Sequence, residues 1–346
     1  MNRLIVLVGV MFGAVLAHAQ PSSGPPPGPL PTGLVVGSGN FFSPIVANLD
    51  AAVAFYRDGI GFEVQGEPAN ADDNPQLRAM FGLPDARLRW QIARAPRVQG
   101  GVEIVEISSA GGEQLEQRMP DPGTVMLMVV VRDIDGTLAR LKQLGAPVVT
   151  RGGEPVTVGG TQGLRAVVVQ DPAGHFVELL QPARLPPTLL PESVVGVRLR
   201  HTVANLDRSV ALYRDALGLQ GGGNVPRDYY NEPSVIELLG VPPDTLWRFT
   251  TLVVPTSGLG IELMEYKGAR RPAEPADVAD PGATRMQLRV ADIDAAVAAV
   301  VEAGGTFIST GGRPLDLPAG DSTLKVGMVR DPDGLFLVLI QAPPAQ

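Results

Sequence analysis

The chain repeats itself, and that repeat limits its possible folds more than any other feature. Ala47-Asn48-Leu49-Asp50-Ala51-Ala52-Val53-Ala54-Phe55-Tyr56-Arg57-Asp58 returns as Ala204-Asn205-Leu206-Asp207-Arg208-Ser209-Val210-Ala211-Leu212-Tyr213-Arg214-Asp215. Arg132-Asp133-Ile134-Asp135 returns as Ala291-Asp292-Ile293-Asp294, and Gln170-Asp171-Pro172-Ala173-Gly174 as Arg330-Asp331-Pro332-Asp333-Gly334. The offsets are 157 (47 to 204), 159 (132 to 291) and 160 (170 to 330), in the same order each time. Chance similarity does not preserve order and spacing together, so the chain carries a duplicated unit. The copies fall at residues 35–182 and 194–342. A proline-rich linker at 183–193 separates them, and a short tail at 343–346 follows.

Each copy is itself bipartite. Asn48, Asp133, Asn205 and Asp292 stand where a helix N-cap belongs, after a strand-like run and before a helical one. Leu206, Val210 and Tyr213 recur at helical spacing and define one apolar face. Gly61, Gly145, Gly218 and Gly304 mark helix ends. Strand patterns follow at Val102 to Ile107, Val125 to Val131, Ala166 to Val169 and Phe176 to Leu180. Their counterparts are Gly260 to Tyr266, Met286 to Val290, Val326 to Val329 and Leu335 to Ile340. The Asp-Pro-x-Gly tetrapeptides at 171–174 and 331–334 suit type I turns. Pro75 to Gly82 and Pro233 to Gly240 read as short inserted helices, placed to close one open end of a sheet.

With 346 residues, 45% of them hydrophobic, there is material for two cores. A net charge of −8 argues against nucleic acid and against an anionic membrane surface as partners. The absence of cysteine removes disulfides, thiolate metal sites and thiol nucleophiles. The N-terminus has the form of a cleavable export signal at 1–19: Arg3, an apolar run from Leu4 to Leu16, then Ala17-His18-Ala19 before Gln20. The run is short for a bilayer, which needs about 20 residues. A Pro/Gly-rich tether at 20–34 follows. The expected location is therefore periplasmic or extracellular, with no stable membrane span once the signal is cut.

The ordered set Asn-Leu-Asp-x-x-Val-x-x-Tyr-Arg-Asp, Asp-Ile-Asp and Asp-Pro-x-Gly resembles the vicinal-oxygen-chelate superfamily of glyoxalases, bleomycin-resistance proteins and extradiol dioxygenases, across nearly all of both copies. The resemblance implies an α+β fold of paired βαβββ modules, giving two eight-stranded, cup-like sheets. It also implies that metal-dependent members hold Zn, Ni, Mn or Fe at the cup floor, on His, Glu or Gln side chains of the first and fourth strands. Other members bind a small molecule without metal.

Counting from the matching motifs places the floor of the first copy at Phe41, Glu103, Met126 and Glu178, and that of the second at Arg198, Glu262, Arg285 and Val338. Two carboxylates sharing the first cup would raise one another's pKa, making Glu103 and Glu178 candidate acid/base residues or weak ligands for a divalent metal. Arginine has no lone pair to offer a cation. A convergent Arg198–Glu262–Arg285 group would instead bind an anionic ligand or stand as a structural ion-pair network. His175 and His201 fall at odd offsets from the floor positions, so strand alternation points them away from the cup. Glu106 has opposite parity to Glu103 and replaces it should the register slip. Tyr229, Tyr230, Trp247 and Trp90 are candidates for a ligand wall, with core packing as the alternative. Tyr56 and Tyr213 read as packing residues.

No cofactor is expected on these grounds, the alternative being one of those divalent metals. Three functional classes remain open: a small-molecule-binding protein; a lyase, isomerase or dioxygenase using Glu103 and Glu178; and a degenerate structural or partner-binding protein. Homodimerisation is a further possibility that the resemblance raises.

Overall fold

The computed structural model describes residues 30–343 except 72–73, 96–99, 109–110, 160–162, 186–192, 270–275 and 320–321. The signal segment, most of the tether and part of the linker lie outside the described residues.

Four modules follow one another. Module 1 holds β2 (Ser43–Val46), α1 (Leu49–Ala54, continuing as a π-helical turn over Phe55–Ile60), β3 (Glu63–Asn70), α2 (Pro75–Met80), β4 (Arg87–Arg94) and β5 (Val102–Ser108). It is preceded by β1 (Val35–Ser38). Module 2 holds β6 (Val125–Val131), α3 (Ile134–Gln143), β7 (Val156–Val158), β8 (Leu164–Gln170) and β9 (Phe176–Gln181). Module 3 holds β10 (Val194–Thr202), α4 (Leu206–Val210, with a π-helical turn over Ala211–Ala216), β11 (Gln220–Gly221), α5 (Pro233–Leu239), β12 (Trp247–Val253) and β13 (Gly260–Tyr266). Module 4 holds β14 (Thr284–Val290), α6 (Ile293–Glu302), β15 (Thr306–Phe307), β16 (Leu315–Ala319), β17 (Ser322–Arg330) and β18 (Phe336–Gln341).

The local signals act as expected. Asn48, Asp133, Asn205 and Asp292 each accept the backbone N–H three residues on. That bond satisfies one of the orphan donors of the first turn. A second cap is repeated in all four modules. The last strand of each module turns an acceptor side chain onto the first helical N–H: Glu106 to Leu49 (2.9 Å), Gln181 to Ile134 (3.1 Å), Glu265 to Leu206 (2.7 Å) and Gln341 to Ile293 (2.9 Å). Glu106 is thus a capping residue on the helix side of the sheet, not a substitute for Glu103.

Strand pairing crosses the duplication. One sheet runs β15-β17-β18-β14-β2-β5-β4-β3, with β1 and β16 attached, and joins module 4 to module 1. The other runs β11-β12-β13-β10-β6-β9-β8-β7 and joins module 3 to module 2. The central junctions are antiparallel, with Arg285 opposite Ser43 and Arg200 opposite Met126. Each repeat therefore contributes half of each cup. Within a repeat the two modules stack through their helices instead: Arg140 of α3 donates to the Gly59 carbonyl of α1 at 3.1 Å. Gly59 allows that approach, since a Cβ there would lie 2.4 Å from Leu141 Cδ2.

The helices and the convex faces of both sheets share one continuous core, including Phe41, Phe55, Leu141, Val177, Leu199, Leu263 and Leu337. Each concave face keeps its own cluster. Ile45, Phe81, Leu88, Met328 and Phe336 line the 1/4 cup, and Met126, Met128, Phe176, Trp247 and Tyr266 line the 2/3 cup. Alternation along a strand separates the faces: in β9, Phe176 and Leu180 enter the cup while Val177 and Leu179 enter the shared core.

The inserted helices do close the cups, and they do so across the module boundary. The Ser309 hydroxyl donates to the Met80 carbonyl (2.7 Å) and accepts from Met328 N–H (2.8 Å). Thr150 does the same with Leu238 (2.9 Å) and Val168 (2.8 Å). Gly82 (φ 72°) and Gly240 (φ 64°) end these helices in the left-handed region, each packed against a backbone carbonyl that a Cβ would approach to 2.7 Å.

Candidate functional site

Crossed pairing redistributes the floor residues expected from the sequence. Glu103 lies in the 1/4 cup and Glu178 in the 2/3 cup, so the two carboxylates do not share a site. Arg285 likewise sits in a different sheet from Arg198 and Glu262, so that trio does not converge. Both expectations paired consecutive modules, whereas the antiparallel β14–β2 and β6–β10 junctions pair modules from opposite repeats.

The first-strand register also differs by two residues. Fourth-strand Glu103, Glu178, Glu262 and Val338 are at the floors. Parallel pairing aligns Met128 with Glu178, Arg200 with Glu262 and Gln287 with Val338. Ile45 pairs with Val105, which carries the same alignment back to Ser43 and Glu103. The first-strand floor residues are therefore Ser43, Met128, Arg200 and Gln287. Phe41 belongs to the shared core, because regular β2 begins only at Ser43. Arg198 lies one rung beyond Arg200, and burial lowers its pKa against the opposing pull of Glu262.

In the 2/3 cup, Arg200 bridges two carboxylates. Its Nη1 donates to Glu178 Oε2 at 3.0 Å and its Nε donates to Glu262 Oε1. All three side chains are nearly inaccessible. Burial and the Glu262 charge push the Glu178 carboxyl above its ordinary value, against the pull of Arg200. In the 1/4 cup, Glu103 is the hub. Arg285 Nη2 donates to it at 3.2 Å and Gln287 Nε2 at 2.9 Å, with Asn40 and Ser43 at 3.4 Å. Arg285 is fully buried, and the ring of Phe81, just past α2, covers its guanidinium at 4.4 Å. Arg285 Nε and Nη1 have no hydrogen-bond partner among the described residues. Burial lowers the pKa of this guanidinium.

Each cup thus holds one arginine in its central antiparallel pair, on opposite sides of that pair. Module 3 supplies it in Arg200–Met126, and module 4 in Ser43–Arg285. Neither floor suits a divalent cation. In each, a permanent cation with no lone pair to offer a metal donates to the floor carboxylates, Arg200 to Glu178 and Glu262 and Arg285 to Glu103.

Of the wall candidates, Trp247 is buried in the 2/3 cup with Tyr230 beside it, and Trp90 borders the 1/4 cup. Trp247 stands opposite Tyr266 whereas Trp90 stands opposite Val105, so they are one rung out of register with each other. Tyr229 does not join the wall. Its hydroxyl donates to Glu265, and Arg248 and Lys267 lie over its ring at 5.4 and 5.7 Å.

Both histidines lie on the helix side, as strand parity implied. His175 Nδ1 is 3.1 Å from both Asp171 oxygens, and its Nε2 is 3.1 Å from the Ala283 carbonyl. Tyr56 donates to Asp171 at 2.9 Å. The second repeat rebuilds this group from other elements: Tyr213 donates to Asp331 at 2.6 Å, and His201 Nε2 is 3.0 Å from the same oxygen. Burial disfavours charge on both rings, but the aspartates overcome it and hold both histidines above their ordinary pKa. Tyr56 and Tyr213 are therefore polar ties between modules as well as packing residues, a role their helical spacing did not reveal.

His201, Asp331 and Asp333 form a group that could hold a metal ion, with ligand atoms within 4.8 Å of one another. It was not visible in sequence because 130 positions separate His201 from Asp331. Its oxygens are already engaged. Asp331 Oδ1 accepts from the N–H of Asp333, Gly334 and Leu335, and Asp333 accepts from Ala204, Arg208 and Ser209. An ion there would have to displace these donors, so the group fits a hydrogen-bonded tie better than a metal centre. Among the described residues no helix is long and apolar enough to cross a membrane.

Comparison with known proteins agrees with this architecture. The chain is similar to glyoxalase I from Zea mays at 18% identity, covering 87% of this chain and 92% of that one with a TM-score of 0.55. It is similar to a putative dioxygenase from Bacillus subtilis at 13% identity, covering 91% and 87% with a TM-score of 0.50. These likenesses establish the fold alone. No curated protein matches. The family model described as Glyoxalase/Bleomycin resistance protein/Dioxygenase superfamily matches twice, at residues 40–179 and 197–339, and the chain belongs to that superfamily.

Proposed function

We propose that this is an exported small-molecule-binding protein that captures a small organic anion in the 1/4 cup, without a tightly bound metal at either floor. The observation that carries the reading is Arg285: a fully buried guanidinium with one nitrogen on Glu103 and two that no described residue engages. A buried donor without an acceptor costs about 1–3 kcal/mol, more when charged. A carboxylate or enolate oxygen would relieve that cost by a charge-assisted bond. Phe81 and α2 form the cover such a ligand must displace. Export rests on the N-terminal residues, and is tested by N-terminal sequencing of secreted or periplasmic protein, which should begin at Gln20.

The two tryptophans allow a direct test, one bordering each cup. In Trp247→Phe protein, short carboxylates such as pyruvate, lactate and benzoate are titrated against Trp90 emission and by calorimetry. Saturable binding that Arg285→Met abolishes is expected, and affinity unchanged by that substitution defeats the proposal. Stoichiometric Zn, Ni, Mn or Fe in purified protein would also defeat it and favour an enzyme using Glu103 or Glu178. One observation favours a second reading, a structural or partner-binding protein: both concave faces are packed with the chain's own apolar side chains. The absence of saturable binding to any of these anions would favour it.

A further inference from the structure

The 2/3 cup differs in chemistry from its counterpart. Tyr266 is 3% exposed, and its hydroxyl has no hydrogen-bond partner among the described residues. The ring points into the cup, and its phenol is felt electrostatically by Arg200, Glu262 and Glu178. The fold does not require a hydroxyl there. In the 1/4 cup the same position of the fourth strand, facing Leu88 where Tyr266 faces Trp247, is Ile107. A tyrosine kept at this point carries a buried donor that the scaffold manages without.

The surrounding wall is apolar and adaptable. Met119, Met126, Met128 and Met264, four of the nine methionines in the chain, line this cup together with Trp247 and Phe249. Unbranched thioether side chains change rotamer at little cost and reshape around a guest. Among the described residues the floor beneath them offers no free ionic partner, because Arg200 is already engaged by both Glu178 and Glu262. An ion entering here would lose its hydration for nothing, whereas a neutral molecule would not.

We infer that the 2/3 cup is a second ligand site, for a neutral, largely apolar molecule with one hydrogen-bond acceptor, typified by an aryl ketone, whose oxygen receives the Tyr266 hydroxyl. The guest displaces methionine side chains beneath α5, the helix that the Thr150 hydroxyl latches at Leu238. The site is independent of the anion site in the other cup: the two draw on different modules and different polar groups.

The full-length chain carrying Trp90→Phe leaves Trp247 as the sole indole, and acetophenone and ethylbenzene serve as probes of similar shape with and without the oxygen. Saturable change in Trp247 emission is expected for both, with acetophenone binding about tenfold tighter, the worth of one buried hydrogen bond. Adding Tyr266→Phe should bring acetophenone down to the ethylbenzene level and leave ethylbenzene unchanged. It should also melt no lower than its parent, since it removes a donor without a partner. Equal affinities before the substitution, a preference that survives it, or no saturable response would overturn the inference. So would a lower melting temperature, which would show the hydroxyl to be engaged already.

Discussion

Arg285 and Glu103, 182 positions apart in the chain, meet at 3.2 Å across the antiparallel junction that joins the first module to the last. Among the described residues Arg285 is the largest fully buried side chain, and Glu103 is the only carboxylate in contact with it. Removing one member of a buried ion pair costs roughly 3–5 kcal/mol. Glu103→Gln should therefore lower the denaturation midpoint markedly. Glu103→Gln combined with Arg285→Met should recover part of the loss, as read from a urea double-mutant cycle.

Crossed pairing also predicts how the two repeats behave when separated. A chain cut within 186–192 gives two halves, each holding one half of both cups with an unpaired central strand. Neither half alone should show cooperative unfolding or a monomeric elution volume. Mixed or co-expressed, the halves should reassemble into a 1:1 complex with the native circular dichroism spectrum.

Arg200 is held between Glu178 and Glu262 at its floor. Arg200→Met leaves two buried carboxylates facing one another and should cost about 3–5 kcal/mol at neutral pH. Glu178→Gln should be tolerated far better: burial already disfavours its charge, and an amide oxygen can still accept from Arg200. Urea denaturation of both variants at pH 7 checks the ordering.

The Tyr–Asp–His ties set a pH window. Both histidine pKa values are raised by their aspartates. Their contribution to stability is complete below the unfolded histidine value, about 6.5, and is lost as pH rises through the folded value. Both aspartate pKa values are lowered, burial being outweighed by the histidines. Their contribution is complete above the unfolded aspartate value, about 3.9, and is lost as pH falls through the folded value. These ties should therefore be strongest between about pH 4 and 6.5. The fall in urea midpoint above that range should be shallower in His175→Gln and His201→Gln than in the wild type.

Ser309 and Thr150 each bond both a lid-helix carbonyl and a strand N–H. Replacing either by alanine leaves buried polar groups unpaired and should cost about 1–3 kcal/mol. Hydrogen exchange should show faster opening confined to α2 for Ser309→Ala and to α5 for Thr150→Ala.

The repeat, the four helix caps and the fourth-strand positions of Glu103, Glu178 and Glu262 were legible in the residues, because each depends on local chemistry or on a count from a nearby motif. Parity also placed His175 and His201 on the helix side, since alternation along a strand is a local property. The two-residue slip at the first strands was not legible. It depends on where regular pairing begins beyond Phe41, and Phe41 packs into the core instead of extending the strand. Partnership between modules was not legible either. Any module's central strand has the same unpaired edge, and local preference does not choose which edge it meets. Helix stacking within a repeat, as at Gly59 and Leu141 in the first, sets consecutive modules back to back and leaves their edges for the other copy. Sequence alone thus determined which fourth-strand side chains reach a cup floor. Only the tertiary structure decided that Glu103 would answer to Arg285 and Glu178 to Arg200.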